Sequence, residues 1–483
     1  MDSELKCRTA CGDCGGTGKK KQRLRKSVRL RFEKSLETWQ RQGAKGPQPL
    51  KPKPHYTTCS VCSGSGLIPS ENYPLPDPEK FPHLAIVGGG IGGTALALAC
   101  LHRGIPFTLY EKDNSFSDRS QGYGLTLQQA SKAMQGFGIN KLENGVVSTR
   151  HIVHTTDGTV VGEWGMRKWL GTNSKAGSRR TNIHIARQNL RSELLSPMQK
   201  SGSVKWGYEL LEFNQSDDNR VNLRFRVNNE TVVEKADLVI GADGIRSIVR
   251  RQIIGEETLP LRYLGCMVIL GICRLDEIGD CDRSLLDSAT VFQTANGHER
   301  IYIMPYDAVS VMWQLSFPIS EEDAMALRKR GNETLKQEAI HRTPWHDPIP
   351  QILKVTDPSK ISGYPVYDRD LLTPELLQTC GPATLIGDAA HPMSPFKGQG
   401  ANQALLDALS LARGITKGCS NPNGWQDKSN RENILNRFEA EMLQRSAIKV
   451  EDSAAAAEFL HSELALFEAD EPRGKVLKRK HKE

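Results

Sequence analysis

No stretch of this chain stays apolar for the ~18 residues that a membrane-spanning helix needs. A helical membrane protein is therefore excluded. The first residues also lack the apolar core of a secretory signal. A cytoplasmic location is the expectation, with organelle targeting by the basic N-terminus as the alternative. Most of the chain lacks net charge as well. Residues 1–55 hold 15 Lys/Arg and 5 Asp/Glu, a net of +10; the other 49 basic and 51 acidic side chains give −2, against a total of +8. The positive excess belongs to one arm and not to the body, and nothing resembles base readout, so nucleic acid is not an expected partner. No nucleophile–base triad is present either, and no catalytic acid or base is assigned. What remains is 483 residues of soluble globular composition, 38% apolar and 25% charged, with room for two or three domains.

Three separated segments carry the chemistry. In the first, an apolar β-rich run from Phe81 to Val87 feeds into Gly88-Gly89-Gly90-Ile91-Gly92-Gly93, and the run after it reads as a helix. In this strand–turn–helix context GxGxxG means dinucleotide binding. Gly88 permits the tight turn, Gly90 leaves room for a pyrophosphate, and Gly93 lets the helix pack on the strand. The helix start at Ile91 and Gly92 offers free N–H groups to phosphate. A second strand, Pro106 to Tyr110, ends in Glu111, 18 residues beyond Gly93. An acid there bonds ribose hydroxyls and repels a 2′-phosphate, so FAD or NAD is expected and NADP is not. The second segment is another buried strand, Ala236 to Gly241, ending in Asp243-Gly244, with Arg246, Ser247 and Arg250 after it. The third runs from Ala383 through Asp388 into a Pro/Gly-rich loop and an amphipathic helix from Asn402 to Ala412.

Taken together, these segments resemble the single-component FAD-dependent aromatic hydroxylases, the para-hydroxybenzoate hydroxylase type. The most similar branch is that of the tetracycline-inactivating and salicylate-hydroxylase-like monooxygenases. The resemblance spans about Pro82 to His461. It implies an α/β fold in which a Rossmann-like FAD-binding domain of GR2 type is interleaved with a β-sheet substrate domain and closed by C-terminal helices. It places Asp243 and Gly244 near the FAD pyrophosphate and the approach of the nicotinamide cofactor, and Asp388 on the ribityl chain. Arg187 would be the family arginine that approaches FAD. Pro395, Gly398, Gly400, Ala401 and Asn402 would form the loop against the isoalloxazine. The segment from Gly122 to Leu127 resembles the one that passes the flavin. His391, in the Pro-rich loop, reads as structural and not as a base.

The implied reaction is reduction of FAD by NAD(P)H, addition of O₂ to give a flavin C4a-hydroperoxide, and transfer of its distal oxygen to a small electron-rich, aromatic or cyclic substrate. The chain has only one GxGxxG, which fits transient NAD(P)H binding and argues against enzymes with two Rossmann domains. A related FAD epoxidase or oxidase, and a flavin-fold interaction protein that docks partners through its arm, are the alternatives.

The expected organisation is an arm over 1–80 and a monooxygenase region over 81–483. Within it, FAD segments lie at about 81–150, 180–260 and 365–425, the substrate sheet at about 150–180 and 262–365, and C-terminal helices at 429–470. Alternating runs from Arg300 to Tyr306 and Val309 to Phe317 read as a hairpin in that sheet. Met304, Met312 and Trp313 read as sheet core, with pocket lining as the alternative.

The arm contains Cys11-Gly-Asp-Cys14-Gly-Gly16-Thr-Gly18 and Cys59-Ser-Val-Cys62-Ser-Gly64-Ser-Gly66, two copies of CxxCxGxG. This is similar to the cysteine-rich repeat of DnaJ chaperones, where paired copies bind zinc. Four soft thiolates suit tetrahedral Zn²⁺, so Cys11, Cys14, Cys59 and Cys62 are the candidate ligands, with Cys7 as an alternate. A redox-active dithiol or a metal-free arm are the other readings. The spacer of 44 residues between Cys14 and Cys59 departs from the common zinc-ribbon length. It reads as a basic helix extending to Gln42 and broken at Pro47 to Pro54. A protein partner through this arm is the expected interaction, and the tail from Lys475 to Lys482 reads as disordered.

Overall fold

The computed structural model describes residues 7–472 apart from 45–46, 51, 53–54, 119–121, 171–181, 200–201, 217–219, 379–380, 421–423 and 427. The basic tail from Lys475 and part of the Pro47–Pro54 stretch lie outside the described residues.

Short, wholly apolar runs make strands that need cover on both faces. Leu84–Val87 and Leu238–Gly241 are buried along their whole length. They form the middle of a parallel five-stranded sheet, ordered Val204–Trp206, Phe107–Glu111, Leu84–Val87, Leu238–Gly241, Ala383–Leu385. The glycine turn leads into the helix Ile91–Leu101, which packs against the helix Gly400–Gly418. A three-stranded antiparallel sheet (Glu209–Gln215, Val221–Val227, Glu230–Ala236) adds Val221, Leu223 and Phe225 to the same core, with Phe225 stacked on Tyr110 at 4.3 Å. All three motif strands thus end at one sheet edge, which is where ligands bind in open α/β sheets.

The second core belongs to a mixed seven-stranded sheet, ordered Val160–Trp164, Arg150–His154, Thr290–Ala295, Arg300–Pro305, Ser310–Pro318, Leu261–Arg274, Ile361–Arg369. The hairpin read from alternation is present: Arg300–Pro305 pairs antiparallel with Ser310–Pro318. Alternation also separates the faces. Ile301, Ile303, Trp313 and Leu315 join the core shared with the helices Glu321–Lys329, Asn332–Arg342 and Ile349–Val355. Met304 and Met312 lie in a separate cluster with Tyr302 and Tyr306. Trp313 is therefore core, whereas the two methionines reach the nucleotide-binding side: the Gly124 N–H donates to Met312 Sδ at 3.0 Å.

The chain closes with one long helix, Lys428–Phe459, where the sequence suggested several. His461, just past its end, bonds Ser316 Oγ on the large sheet at 2.9 Å.

In the arm, Arg8–Ala10 pairs with Leu67–Pro69, and Lys19–Lys21 pairs with Tyr56–Thr58. The spacer is thus a strand, a helix over Lys26–Arg41 with no buried residue, and a return strand. The strand at Lys19–Lys21 replaces the helical start expected there, because pairing with residues 56–58 satisfies its backbone. Among the described residues no helix is long and apolar enough to cross a membrane.

Trp313 is fully buried, and its indole N–H donates to Thr356 Oγ1 at 3.0 Å. Thr356→Val leaves that donor without a partner, at a cost of about 1–3 kcal/mol. The urea midpoint of the variant should fall, while flavin content per folded chain stays unchanged.

Candidate functional site

The site begins with a backbone turn. Gly88 has φ +106°, and a Cβ there would lie 2.5 Å from the Ala242 carbonyl oxygen. A Cβ at Gly93 would lie 1.9 Å from the Gly88 oxygen. Neither position admits a side chain, so the helix Ile91–Leu101 seats directly on the strand end. At Gly90 an added Cβ would meet only Arg187 Nη2, at 3.7 Å, which keeps the space above the helix N-terminus free.

Glu111 is buried at the end of the neighbouring strand. Its Oε2 accepts the Gly89 N–H at 2.7 Å and its Oε1 the Asp113 N–H at 3.1 Å. Arg191 lies beside it. Its Nε donates to the Gly89 carbonyl at 2.6 Å, its Nη2 is 3.9 Å from Glu111, and its guanidinium sits over Phe116 and Trp206. The turn is therefore held from both of its peptide faces by one acid and one base.

Asp243 ends the second strand and caps the helix Ile248–Ile254. Its carboxylate accepts from Ser247 Oγ at 2.5 Å and from the N–H groups of Ile248 and Val249 at 2.8 and 3.3 Å. Ser247 and Arg246 precede that helix and are not part of it. Burial pushes the Asp243 carboxyl up from its ordinary value, against the pull of these donors.

Asp388 stands at the third strand end, 3.4 Å from where a Gly400 Cβ would be. It is open to solvent within the crevice yet crowded by protein. That crowding raises its carboxyl, His391 and Arg187 draw it down, and Asp407 raises it. Gly400 and Ala401 begin the helix Gly400–Gly418, so unsatisfied N–H groups and a positive dipole end face the same space.

These elements line one crevice of about 260 Å³. Of the sequence candidates, Gly88, Gly90, Ile91, Gly92, Glu111, Arg187, Asp243, Gly244, Asp388, Gly400 and Ala401 form its wall. Gly93, Pro395, Gly398 and Asn402 do not. Gly93 is the close-packing position. Asn402 is fully buried and its amide is used within the protein: Oδ1 accepts from the Gln128 and Ala130 N–H groups, and Nδ2 donates to the Thr126 and Gly398 carbonyls. It staples the Pro/Gly loop to the segment running past Gly124.

Tyr123, in the segment expected to pass the flavin, lines the crevice, 44% exposed, with the Arg187 guanidinium 5.9 Å from its ring centre. Sequence reasoning missed Arg191 and Asp407. Asp407 is fully buried and accepts from the Gly387 N–H at 2.9 Å, from His391 at 2.7 Å and from Arg445 at 2.8 Å. Burial alone would raise its carboxyl; His391 and Arg445 outweigh that and hold it below the ordinary range. His391 is thus tied into a structural network, which agrees with its structural reading. Arg191 lies in the helix Arg187–Leu195 and Asp407 in the helix Gly400–Gly418, and nothing local marks which helix residue will be buried against a distant partner.

The arm brings its four cysteines together. The Sγ atoms of Cys11, Cys14, Cys59 and Cys62 all lie within 4.8 Å of one another, and Cys14 and Cys62 are 3.7 Å apart. A tetrahedral zinc with Zn–S of about 2.3 Å puts its sulfurs about 3.8 Å apart. The loops are related as a pair: the Gly18 and Gly66 N–H groups each donate to a sulfur at 3.2 Å, Cys11 N–H bonds Gly66 O, and Cys59 N–H bonds Gly18 O. A Cβ at Gly18 would lie 2.1 Å from the Gly64 oxygen, so the glycines of the repeat are required. The strand pair Lys19–Lys21 and Tyr56–Thr58 closes the long spacer just beyond the ligands.

A family model described as an FAD binding domain matches residues 82–425, beginning just past the arm. Aurachin C monooxygenase/isomerase of Stigmatella aurantiaca is 29% identical over 333 residues, 68% of this chain and 79% of that protein. 3-Amino-4-hydroxybenzoate 2-monooxygenase PtnB3 of Streptomyces platensis is 28% identical over 337 residues, 68% of this chain and 78% of its own. Among solved structures, Klebsiella pneumoniae HpxO complexed with FAD and uric acid is similar with a TM-score of 0.65 and 21% identity, covering 80% of this chain and 90% of that one. The crevice built from three strand ends and a helix N-terminus, together with this match, makes the chain a member of the FAD binding domain family and an FAD-dependent monooxygenase.

Proposed function

We propose that this enzyme uses NAD(P)H and O₂ to hydroxylate a small, electron-rich aromatic or cyclic compound. The observation that carries this reading is the convergence of the glycine turn, Asp243, Asp388 and the Gly400–Ala401 helix start on one crevice. The chemistry supplied by bound FAD is reduction by the nicotinamide cofactor followed by activation of O₂. The chain's own groups bind and orient. The N–H groups from Gly90 to Gly92 would receive the pyrophosphate, the Gly90 position leaving room for it. Glu111, fixed by the Gly89 N–H, receives the ribose hydroxyls. Arg187 and Asp388 would hold the ribityl chain, and the helix start at Gly400 would favour negative charge on the ring beside it. Gly93 and Asn402 act by shaping the cradle.

Substrate lies between this edge and the Met304/Met312/Tyr302/Tyr306 face of the large sheet. Relatives that act on aminohydroxybenzoate and hydroxynicotinate support a small aromatic substrate. No acid–base pair is needed there, because the oxygen-transfer chemistry belongs to the cofactor and the protein's task is to orient the ring and exclude water.

The defining experiment is NAD(P)H oxidation with a panel of hydroxylated benzoates and pyridines under ¹⁸O₂. One compound should stimulate oxidation and emerge with one labelled oxygen. Peroxide production with no labelled product across the panel would favour an oxidase instead.

Asp388→Ala removes a hydrogen bond from a charged acceptor, worth about 1.5–3 kcal/mol. FAD affinity by flavin fluorescence should fall roughly ten- to hundred-fold, with the far-UV circular dichroism unchanged. Unaltered affinity would remove Asp388 from the site.

We also infer that Cys11, Cys14, Cys59 and Cys62 hold one structural zinc. Elemental analysis should give about one zinc per chain, and Cys59→Ser with Cys62→Ser should abolish it; zinc retained by that double variant would refute the assignment.

A further inference from the structure

Two arginines lie between the cysteine module and the body, Arg103 buried and Arg413 half-buried. Arg103 follows the helix Ile91–Leu101 and is 4% exposed; its Nη2 donates to the Gly16 carbonyl at 3.4 Å. Arg413, in the helix Gly400–Gly418, donates from Nη2 to the Ser65 carbonyl at 2.7 Å. Gly16 and Ser65 belong to the two CxxCxGxG loops, so each loop is held by one guanidinium, one from the turn that ends the helix Ile91–Leu101 and one from within the helix Gly400–Gly418.

Neither arginine has a carboxylate partner among the described residues. Taking a guanidinium out of water without a counter-charge is unfavourable, most of all for the buried Arg103, which calls for an anion close by. The groups able to carry negative charge near Arg103 are Cys100 and Cys14, and near Arg413 they are Cys14 and Cys62; burial pushes the Cys100 thiol up to about 12, which keeps it neutral and leaves the two module cysteines. Asp13, on the outer side of the module, is already paired with Lys20 at 2.5 Å. Neutral thiols would leave the two guanidiniums uncompensated. Four thiolates around Zn²⁺ carry a net charge of about −2, which matches two arginines.

The same two helices build the cofactor cradle. One starts at Ile91, beneath the glycine turn, and the other at Gly400, beside Asp388. Both therefore point an N-terminus at the crevice and are held further along by the cysteine module. Loss of the module's charge would release both helices at the cysteine-module end.

We propose that the metal-loaded thiolate cluster is the counter-charge for Arg103 and Arg413, and that through them it clamps the two helices that cradle FAD. Metal loading and FAD retention are then coupled, although the two sites share no residue. This inference rests on the zinc assignment made above.

The test uses the full-length, FAD-loaded protein. Its zinc is stripped with EDTA under conditions in which EDTA pre-saturated with zinc has no effect, and flavin release is followed by the rise in free-flavin fluorescence. Stripping should accelerate flavin release at least ten-fold and lower the thermal midpoint; re-adding zinc should reverse both. Arg413→Met should lose zinc to EDTA at least ten-fold faster, and Arg413→Lys, which keeps the charge, should recover part of that difference. With the metal exchanged for cobalt, the sulfur-to-cobalt bands should shift in Arg413→Met and return towards the wild-type position in Arg413→Lys. Protein purified without metal would overturn the zinc assignment and the clamp together. Stoichiometric zinc whose removal leaves flavin release and thermal midpoint unchanged would overturn the clamp alone.

Discussion

A side-chain carbon at Gly93 would stand 1.9 Å from the Gly88 carbonyl oxygen, and one at Gly88 would stand 2.5 Å from the Ala242 oxygen. The helix Ile91–Leu101 can thus rest on its strand, and that strand beside Leu238–Gly241, only while both positions lack side chains. This backbone-on-backbone contact fixes the height and direction of the helix N-terminus. It sets where a pyrophosphate can approach, and hence where Glu111, Asp243 and Asp388 must stand to reach the rest of the same molecule. The acids are not interchangeable within this frame. Glu111 and Asp243 spend hydrogen bonds on the Gly89 N–H and on the Ile248–Ile254 helix start, so each holds local backbone as well as facing the crevice. Asp388 has its carboxylate turned to the open space beside Gly400.

The large sheet divides its labour by alternation. On the strand Ser310–Pro318, Val311, Trp313, Leu315 and Phe317 belong to the helix-covered core, while Met312 points to the crevice side. The core face gives rigidity through close packing and a satisfied indole N–H. The opposite face carries methionine and tyrosine, whose unbranched or planar side chains adapt to a flat apolar ligand. A substrate surface of this kind needs only one face of a strand, which is why fold and chemistry coexist in a sequence that repeats every two residues.

How much of this was legible follows from sequence distance. Glu111, Asp243 and Asp388 could be read because each ends or closely follows an apolar run, and parallel strands must deliver what comes at or just after their ends to the same edge. Arg191 and Asp407 could not, because their partners at Gly89 and at Gly387, His391 and Arg445 are set by how helices pack, which helical spacing does not record. The place of Asn402 in its loop could be read, but not the use of its amide, which is taken up by Thr126, Gln128, Ala130 and Gly398. The methionines and Trp313 were ambiguous for a related reason. Alternation says that neighbours face opposite ways but does not say which face is covered.

The arm shows why a long spacer need not weaken a four-cysteine site. Loop-closure entropy depends on the length that remains flexible, and it grows slowly even then. Here the strand Lys19–Lys21 meets Tyr56–Thr58 directly after the first knuckle and before the second, so the closure is made by backbone pairing. The helix Lys26–Arg41 is then an outgrowth at the tip and carries five of the arm's 15 Lys/Arg without touching the ligand geometry. The knuckles can accordingly be as rigid as their glycine contacts make them, and rigidity is what a module needs if its carbonyls are to hold Arg103 and Arg413. Electrostatic demand runs from the body to the arm: helices that aim their positive ends at a cofactor also carry guanidiniums that require an anion, and the cysteines are where the fold places one.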